Sequence, residues 1–403
     1  MAEIGHHHFE SNTIFTTALT TPQVAYTIAT AAQLDAAGDY ILIVDAAFAM
    51  VSGSSTGNAR RVALYDNDVE IGVTTSRIEP ANVDATAGDP YQVVIRFTKA
   101  GSGDITLKAW NTDSVNTSVY WCNAYLILLD DLVEGTDFLH DLHTVPDPNV
   151  SAYTDGASVT LPAGVSETWL CFGGVTWETD ATIEEIHKLK IVDDTTDRAE
   201  IGRDNKDVQD TFLMGTSFPI SGAAGSKTVK VQYDANSAGD YERSTIFLFR
   251  TGVCKKSAVS SGGTATVVAA NTFVELDTVG FTADQTGNYW MFGGGIFSAA
   301  ASANRRERQL TSEIGAAGEV LQAGHADRQI QTDKIVDEIP FLLMGEAAFT
   351  NGNALTFDVD VGDKSNTTNE SVIQGWIAAG TWEKAGAAGP PTPISAGGII
   401  VNP

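Results

Sequence analysis

Four landmarks recur three times along this chain in one order, and that repetition constrains the fold more than any other feature. The first is a strand entered through a turn and an aromatic residue: Gly38-Asp39-Tyr40-Ile41-Leu42, Glu167-Thr168-Trp169-Leu170-Cys171 and Gly287-Asn288-Tyr289-Trp290-Met291. The second is Glu-Ile-Gly, at Glu70-Ile71-Gly72, Glu200-Ile201-Gly202 and Glu313-Ile314-Gly315, each preceded by a basic pair (Arg60-Arg61, His187-Lys188, Arg305-Arg306). The third is a strand pair around a glycine-rich turn. Its members are Tyr91 to Trp110, Phe212 to Tyr233 and Phe341 to Val361, with Gly215 and Gly345 as matching marks. The fourth is a closing strand: Val119 to Leu129, Ser244 to Phe249 and Ser371 to Ala379. One shared tripeptide is chance; four ordered matches spell a triplicated module of about 125 residues.

Within each copy the apolar residues have period two. Thr228-Val229-Lys230-Val231-Gln232-Tyr233 and Leu355-Thr356-Phe357-Asp358-Val359-Asp360 alternate cleanly, as a strand does with one face in a core. Short strands with turn signals every few residues predict an all-β chain of three tandem antiparallel β-sandwich or jelly-roll domains. A helical insertion is expected only between Ala316 and Glu338, where strand formers thin out. Turn-rich stretches divide the chain into an N-terminal arm at 1–15, copies at 16–132, 133–253 and 254–384, and an extended Gly/Pro-rich C-terminal arm at 385–403.

Gly287-Asn288-Tyr289-Trp290 and Ser244-Thr245-Ile246-Phe247-Leu248-Phe249 carry a resemblance to the jelly roll of the tumour-necrosis-factor and complement-type globular heads. Copy two departs from it, with Glu167 where a glycine is expected. In that family three modules pack about a threefold axis and bind partners through loops, without enzymatic activity. The resemblance implies that three tandem copies form an internal pseudo-trimer; separate beads and a homotrimer of whole chains are the alternatives.

The net charge of −27, from 51 acidic against 24 basic residues, repels nucleic-acid backbone and anionic membrane. Three cysteines, Cys122, Cys171 and Cys254, are too few and too apolar in setting for a disulfide framework, so buried thiols are expected. The first residues lack the basic and apolar regions of a signal peptide, and no apolar run is long enough for a membrane helix. His6 to His8 reads as an N-terminal cluster of the kind a tag leaves.

No catalytic, cofactor-binding or metal-binding residue is expected. Nucleophile elbows, phosphate loops, dinucleotide fingerprints and zinc-helix motifs are absent from the sequence. His140 and His143 with Asp137 and Asp141 have metal-ligand chemistry but read as exposed linker polarity. His187 and His325 are the only histidines left to serve as a general base. Asp66-Asn67-Asp68, Asp193-Asp194-Asp197 and Asp358-Asp360-Asp363 offer calcium-type oxygens, yet Asp358 and Asp360 read as a strand's solvent face, and copy three has Thr311-Ser312 where the first two copies have acids. Glu-Ile-Gly reads as structure, its isoleucine pointing inward.

These features suit a structural protein of a virus particle of the tailed-phage kind, made in the host cytoplasm and located in the virion. A capsid-surface decoration or head spike is the favoured form. A tail fibre or receptor-binding protein is the first alternative, a cell-surface adhesin or carbohydrate-binding protein the second, and a hydrolase the third. Expected partners are a major capsid protein or other virion proteins, held through residues 1–15 and 385–403. A homotrimer and a host-surface receptor or glycan are further candidates; nucleic acid and membrane insertion are not. Exposed Trp110, Trp177 or Trp290 would support sugar stacking.

Overall fold

The protein is described by a computed structural model over residues 3–35, 37–50, 59–72, 75–78, 89–99, 101–111, 117–150, 152–179, 185–205, 210–235, 239–267, 272–298, 306–314, 319–323, 339–363 and 370–385. The first stretch of chain forms β1 (His6–Ser11), β2 (Phe15–Thr17), β3 (Gln23–Ala29), β4 (Asp39–Met50), β5 (Ala59–Asp66), β6 (Val69–Glu70), β7 (Thr75–Ile78), β8 (Asp89–Thr98), β9 (Ile105–Asn111) and β10 (Thr117–Leu128). The second forms β11 (Phe138–His143), β12 (Asp147–Val150), β13 (Thr154–Leu161), β14 (Thr168–Thr179), β15 (Glu185–Asp193), β16 (Thr196–Asn205), β17 (Asp210–Ser221), β18 (Lys227–Ala235) and β19 (Gly239–Arg250). The third forms β20 (Ser257–Val267), β21 (Thr272–Thr282), β22 (Gly287–Ser298), β23 (Arg306–Ile314), β24 (Glu319–Ala323), β25 (Ile339–Phe349), β26 (Ala354–Asp363) and β27 (Glu370–Thr381).

Strand order is the same in all three. One sheet runs β1-β10-β4-β8, β11-β19-β14-β17 or β20-β27-β22-β25; the other runs β3-β9-β5-β6, β13-β18-β15-β16 or β21-β26-β23-β24. Counting eight main strands per copy, the orders are first-eighth-third-sixth and second-seventh-fourth-fifth, which is a jelly roll. Each sandwich has its own core, because alternate side chains of both sheets turn inward. Val229, Val231, Tyr233 and Ala235 on β18 and Leu355, Phe357, Val359 and Val361 on β26 are buried on that principle.

The outer face of the first-named sheets is not left to water. Ile41 and Ile43 on β4, Leu170 and Phe172 on β14, and Trp290 and Phe292 on β22 occupy matching places and belong to one further core shared by all three copies. Phe292 lies 5.0 Å from Tyr125 and 6.0 Å from Phe172, and Phe249 lies 6.4 Å from Trp290, ring centre to ring centre. Burying each such side chain contributes roughly 1.5–3 kcal/mol. The copies therefore pack as an internal pseudo-trimer, not as separate beads.

Several expectations are corrected. Residues 6–11 and 15, read as arm, belong to strands paired with β10, because β10 would otherwise leave a row of backbone donors and acceptors unpaired at the sheet edge. Residues 138–143, read as linker, pair with β19 for the same reason. Part of the expected helical insertion is strand: Glu319–Ala323 pairs with β23; the rest of it, like residues 386–403, lies outside the described residues. Glu70 and Glu200 sit in fifth strands, β6 and β16, whereas Glu313 sits in a fourth strand, β23, so the third tripeptide is not equivalent to the other two. Gly215 pairs opposite Gly174, five residues after Trp169, but Gly345 pairs opposite Met291, two after Tyr289. Their similar spacing does not mark the same place.

Candidate functional site

With the sheet faces consumed by packing, the chemistry of the chain gathers at the seams between copies. The seam between copies one and three carries a polar cluster. Parity on β1 sends His6 and His8 to one face and His7 to the other. His6 Nε2 lies 3.3 Å from Glu346 Oε1, and the Tyr125 hydroxyl donates to Glu346 Oε2 at 3.1 Å. His8 Nε2 lies 3.1 Å from Asn123 Oδ1, while His7 reaches the Ile28 carbonyl at 2.9 Å. His6 stacks on Trp382 and His8 on Tyr125. Burial alone would raise the Glu346 carboxyl, but hydrogen bonds from His6 and Tyr125 and the nearby histidine charges outweigh it and hold it at about 2. Burial pushes His7 and His8 below the usual histidine range. The histidine triplet, read as a tag-like cluster, is thus built into the fold, His6 and His8 at this seam and His7 within copy one.

Polar groups also tie copy three to its neighbours elsewhere, among them the Gln92 amide donating to the Pro340 carbonyl and the Glu200 N–H donating to Gln374 Oε1, both at 3.3 Å. The Asn123 amide donates to the Met344 carbonyl. The Leu342 N–H donates to Asp45 Oδ2 at 3.3 Å, and Trp376 Nε1 donates to the Ser217 carbonyl at 3.1 Å. Gly215 is needed where β17 meets copy one: a Cβ there would lie 2.9 Å from the Gln92 backbone oxygen. At one end of the body, Ile4 N–H donates to the Trp382 carbonyl at 2.8 Å, Lys255 N–H to Glu383 O at 2.7 Å and Ala385 N–H to Val253 O at 2.8 Å. The start of copy one, the end of copy three and the junction of copies two and three are thereby laced together.

The candidates for metal or acid–base chemistry are dispersed. Asp137 pairs with Arg250 at 3.0 Å, Asp141 accepts from the Ser158 N–H at 2.8 Å and His143 meets the Tyr241 hydroxyl at 2.9 Å, while His140 faces another way. His140 and Asp141 are neighbours on β11, so alternation turns them to opposite faces, and Asp137 lies just before the strand. Asp66 and Asp193, each buried beside a tight turn with positive φ at Asn67, Asp68 and Asp194, are held by Lys99 and Lys227 at 3.1 and 3.0 Å. Lys108 takes Asp68. Asp358, expected on a solvent face, is buried. Among the described residues no group of three or more His, Cys, Asp or Glu is placed to hold a metal ion. His187 is buried against Trp177, and His325 lies outside the described residues. All three cysteines are free and buried, and burial pushes the Cys254 thiol up to about 12. Trp110, Trp177 and Trp290 are buried and present no stacking platform for a sugar. No described helix is long and apolar enough to cross a membrane.

The seam residues carried one sequence signal that the pattern reading passed over. Asp45 and Asn123 interrupt otherwise apolar strands, and a polar residue in such a run needs a buried partner. No protein-family model matches the chain, and no curated protein does. Among solved structures the chain is similar to the Eiger tumour necrosis factor of S. frugiperda, at 10% identity and a TM-score of 0.21, over 33% of this chain and 98% of that one. It is similar to the triple-jelly-roll turret structure of an archaeal virus at 9% identity and 0.19, over 92% and 83%. It is also similar to the VP2 subviral particle of infectious bursal disease virus at 10% and 0.23, over 86% and 73%. The jelly-roll assignment rests on the strand order above, since superpositions at these scores carry no argument.

Proposed function

We propose that this chain is a structural protein of a virus particle, in the form of a capsid-surface decoration or spike that acts by burying surface against other virion proteins. The observation that carries the reading is the core shared by the three copies. It turns one chain into a closed threefold-like block whose inner sheet faces are spent, so that loops, strand edges and the flanking segments are the surfaces left for partners. The net charge of −27 keeps such a block soluble when many copies crowd one shell.

The test is co-sedimentation of the purified full chain with shells of the capsid protein encoded beside it, with light scattering on the free chain. Expected are a single-chain particle in solution and saturable loading on shells. A chain that leaves every shell bare, or that instead binds whole host cells without shells, would refute the assignment.

A further inference from the structure

The three seams are not chemically alike, and the odd one contains a cavity. On the third strands, Tyr40, Trp169 and Tyr289 are equivalent: they pair with Leu128, Arg250 and Thr381 on the eighth strands, and with Phe97, Ile220 and Ala347 on the sixth. Stepping along the eighth strands from those partners brings Asn123, Thr245 and Trp376 into one set. That step is five residues; a step of three on the sixth strands groups Val94, Ser217 and Met344. Asn123 of copy one bridges to Met344 of copy three, and Trp376 of copy three to Ser217 of copy two. The remaining pair is Thr245 of copy two and Val94 of copy one. Among the described residues the Thr245 side chain makes no such bridge, and a cavity of about 110 Å³ opens between the two, with Gly174 beside Thr245 adding no side chain.

We propose that this cavity binds a short monocarboxylate, with the Arg243 guanidinium on its carboxylate and the apolar wall of Val94, Leu142 and Leu213 around its carbon chain. Arg243 lies two residues from Thr245 on β19, so both side chains line the cavity from one sheet face. Half-buried, it makes no ion pair or hydrogen bond among the described residues. Glu70 and Glu242 act on it only through their charge, and burial outweighs them, leaving the guanidinium's pKa below its usual value. His140, on the same face of β11, also lines the cavity without a hydrogen bond, close enough to feel Arg96, Glu134, Asp141 and Asp39. A desolvated guanidinium with empty donor positions is matched by a carboxylate, which takes its fork with two parallel hydrogen bonds. An apolar cavity of about 150 Å³ accepts a benzene ring, so this one suits the roughly four carbons of a short acid whose carboxylate oxygens reach the guanidinium. The site does not depend on the virion reading.

The probe is sodium butyrate titrated into the full chain by calorimetry and methyl-resolved NMR, with butyramide as the uncharged isostere and sodium chloride as the ionic-strength control. Expected is saturable butyrate binding with shifts confined to Val94, Leu142 and Leu213. It should weaken at least tenfold for butyramide and for Arg243→Met. Thr245→Asn, which rebuilds the Asn123-type bridge and fills the space, should abolish binding and raise the melting temperature. Arg243→Lys, if the methionine variant does not fold, should retain part of the affinity. Equal binding of butyramide, unchanged binding in Arg243→Met or Thr245→Asn, or shifts that sodium chloride reproduces would each overturn the proposal.

Discussion

The seam between copies one and three and the seam between copies one and two are built on the same strand register and come out opposite in character. In the first, hydrogen bonds from His6 and Tyr125 to Glu346 and from Asn123 to the Met344 carbonyl close the gap. In the second, the residue matching Asn123 is Thr245, whose side chain is too short to cross, and Arg243 is left facing space. Gene triplication supplies three equal backbones; divergence of a few side chains then decides which seam is sealed and which is open. The lesson is that in an internal pseudo-trimer the three interfaces are free to specialise, whereas a homotrimer must repeat one interface three times.

The strongest way to break the comparison is to remove a residue of the shared core. Phe172→Ala should cost about 3–5 kcal/mol, and calorimetry should show the three copies melting together at a lower temperature; melting of copy two alone would mean that the shared core does not couple them. Acid should next separate the seams. Because His7 and His8 are depressed by burial, the unfolded chain takes up their protons first. Their contribution is full above pH 6.5 and declines as pH falls from there. Glu346, held at about 2 against an ordinary 4.5, contributes fully above 4.5 and loses that contribution as pH falls towards 2. The Glu346 share is roughly 2–3 kcal/mol, so urea midpoints at pH 7 and pH 3 should differ in the parent protein and differ less in Glu346→Gln. Asn123→Ala should cost about 1–2 kcal/mol, since the buried Met344 carbonyl loses its donor, and hydrogen exchange should rise in β10 and β25 but not across the Thr245 seam. The smallest effect is expected of Trp376→Phe, about 0.5–1.5 kcal/mol, read as a modest fall in melting temperature with unchanged cooperativity.

Strand class and triplication were legible because both are written locally. Alternation at Val229, Val231 and Tyr233 needs no knowledge of the partner strand, and the Tyr40, Trp169 and Tyr289 marks fell at equivalent positions of the third strands. Shorter marks misled. Glu-Ile-Gly slid by one strand in copy three, and Gly345 by three places, because a tripeptide does not record which neighbour it pairs with. His140 and Asp141 stand side by side in sequence with ligand-type chemistry, yet a pleated strand turns adjacent side chains to opposite faces. The buried roles of Asp45, Asn123 and Glu346 were hidden for another reason: their partners lie on a different copy.

From the sequence alone follow an all-β chain, three related modules, apolar alternation and a strongly acidic surface, since each depends only on residue type and near neighbours. Only the tertiary structure decided that the modules share a core, that residues 6–11 are a seam strand and that Arg243 faces a cavity. Those outcomes depend on contacts between segments more than a hundred residues apart, where the fit of two surfaces, not the pattern within either, sets the free energy.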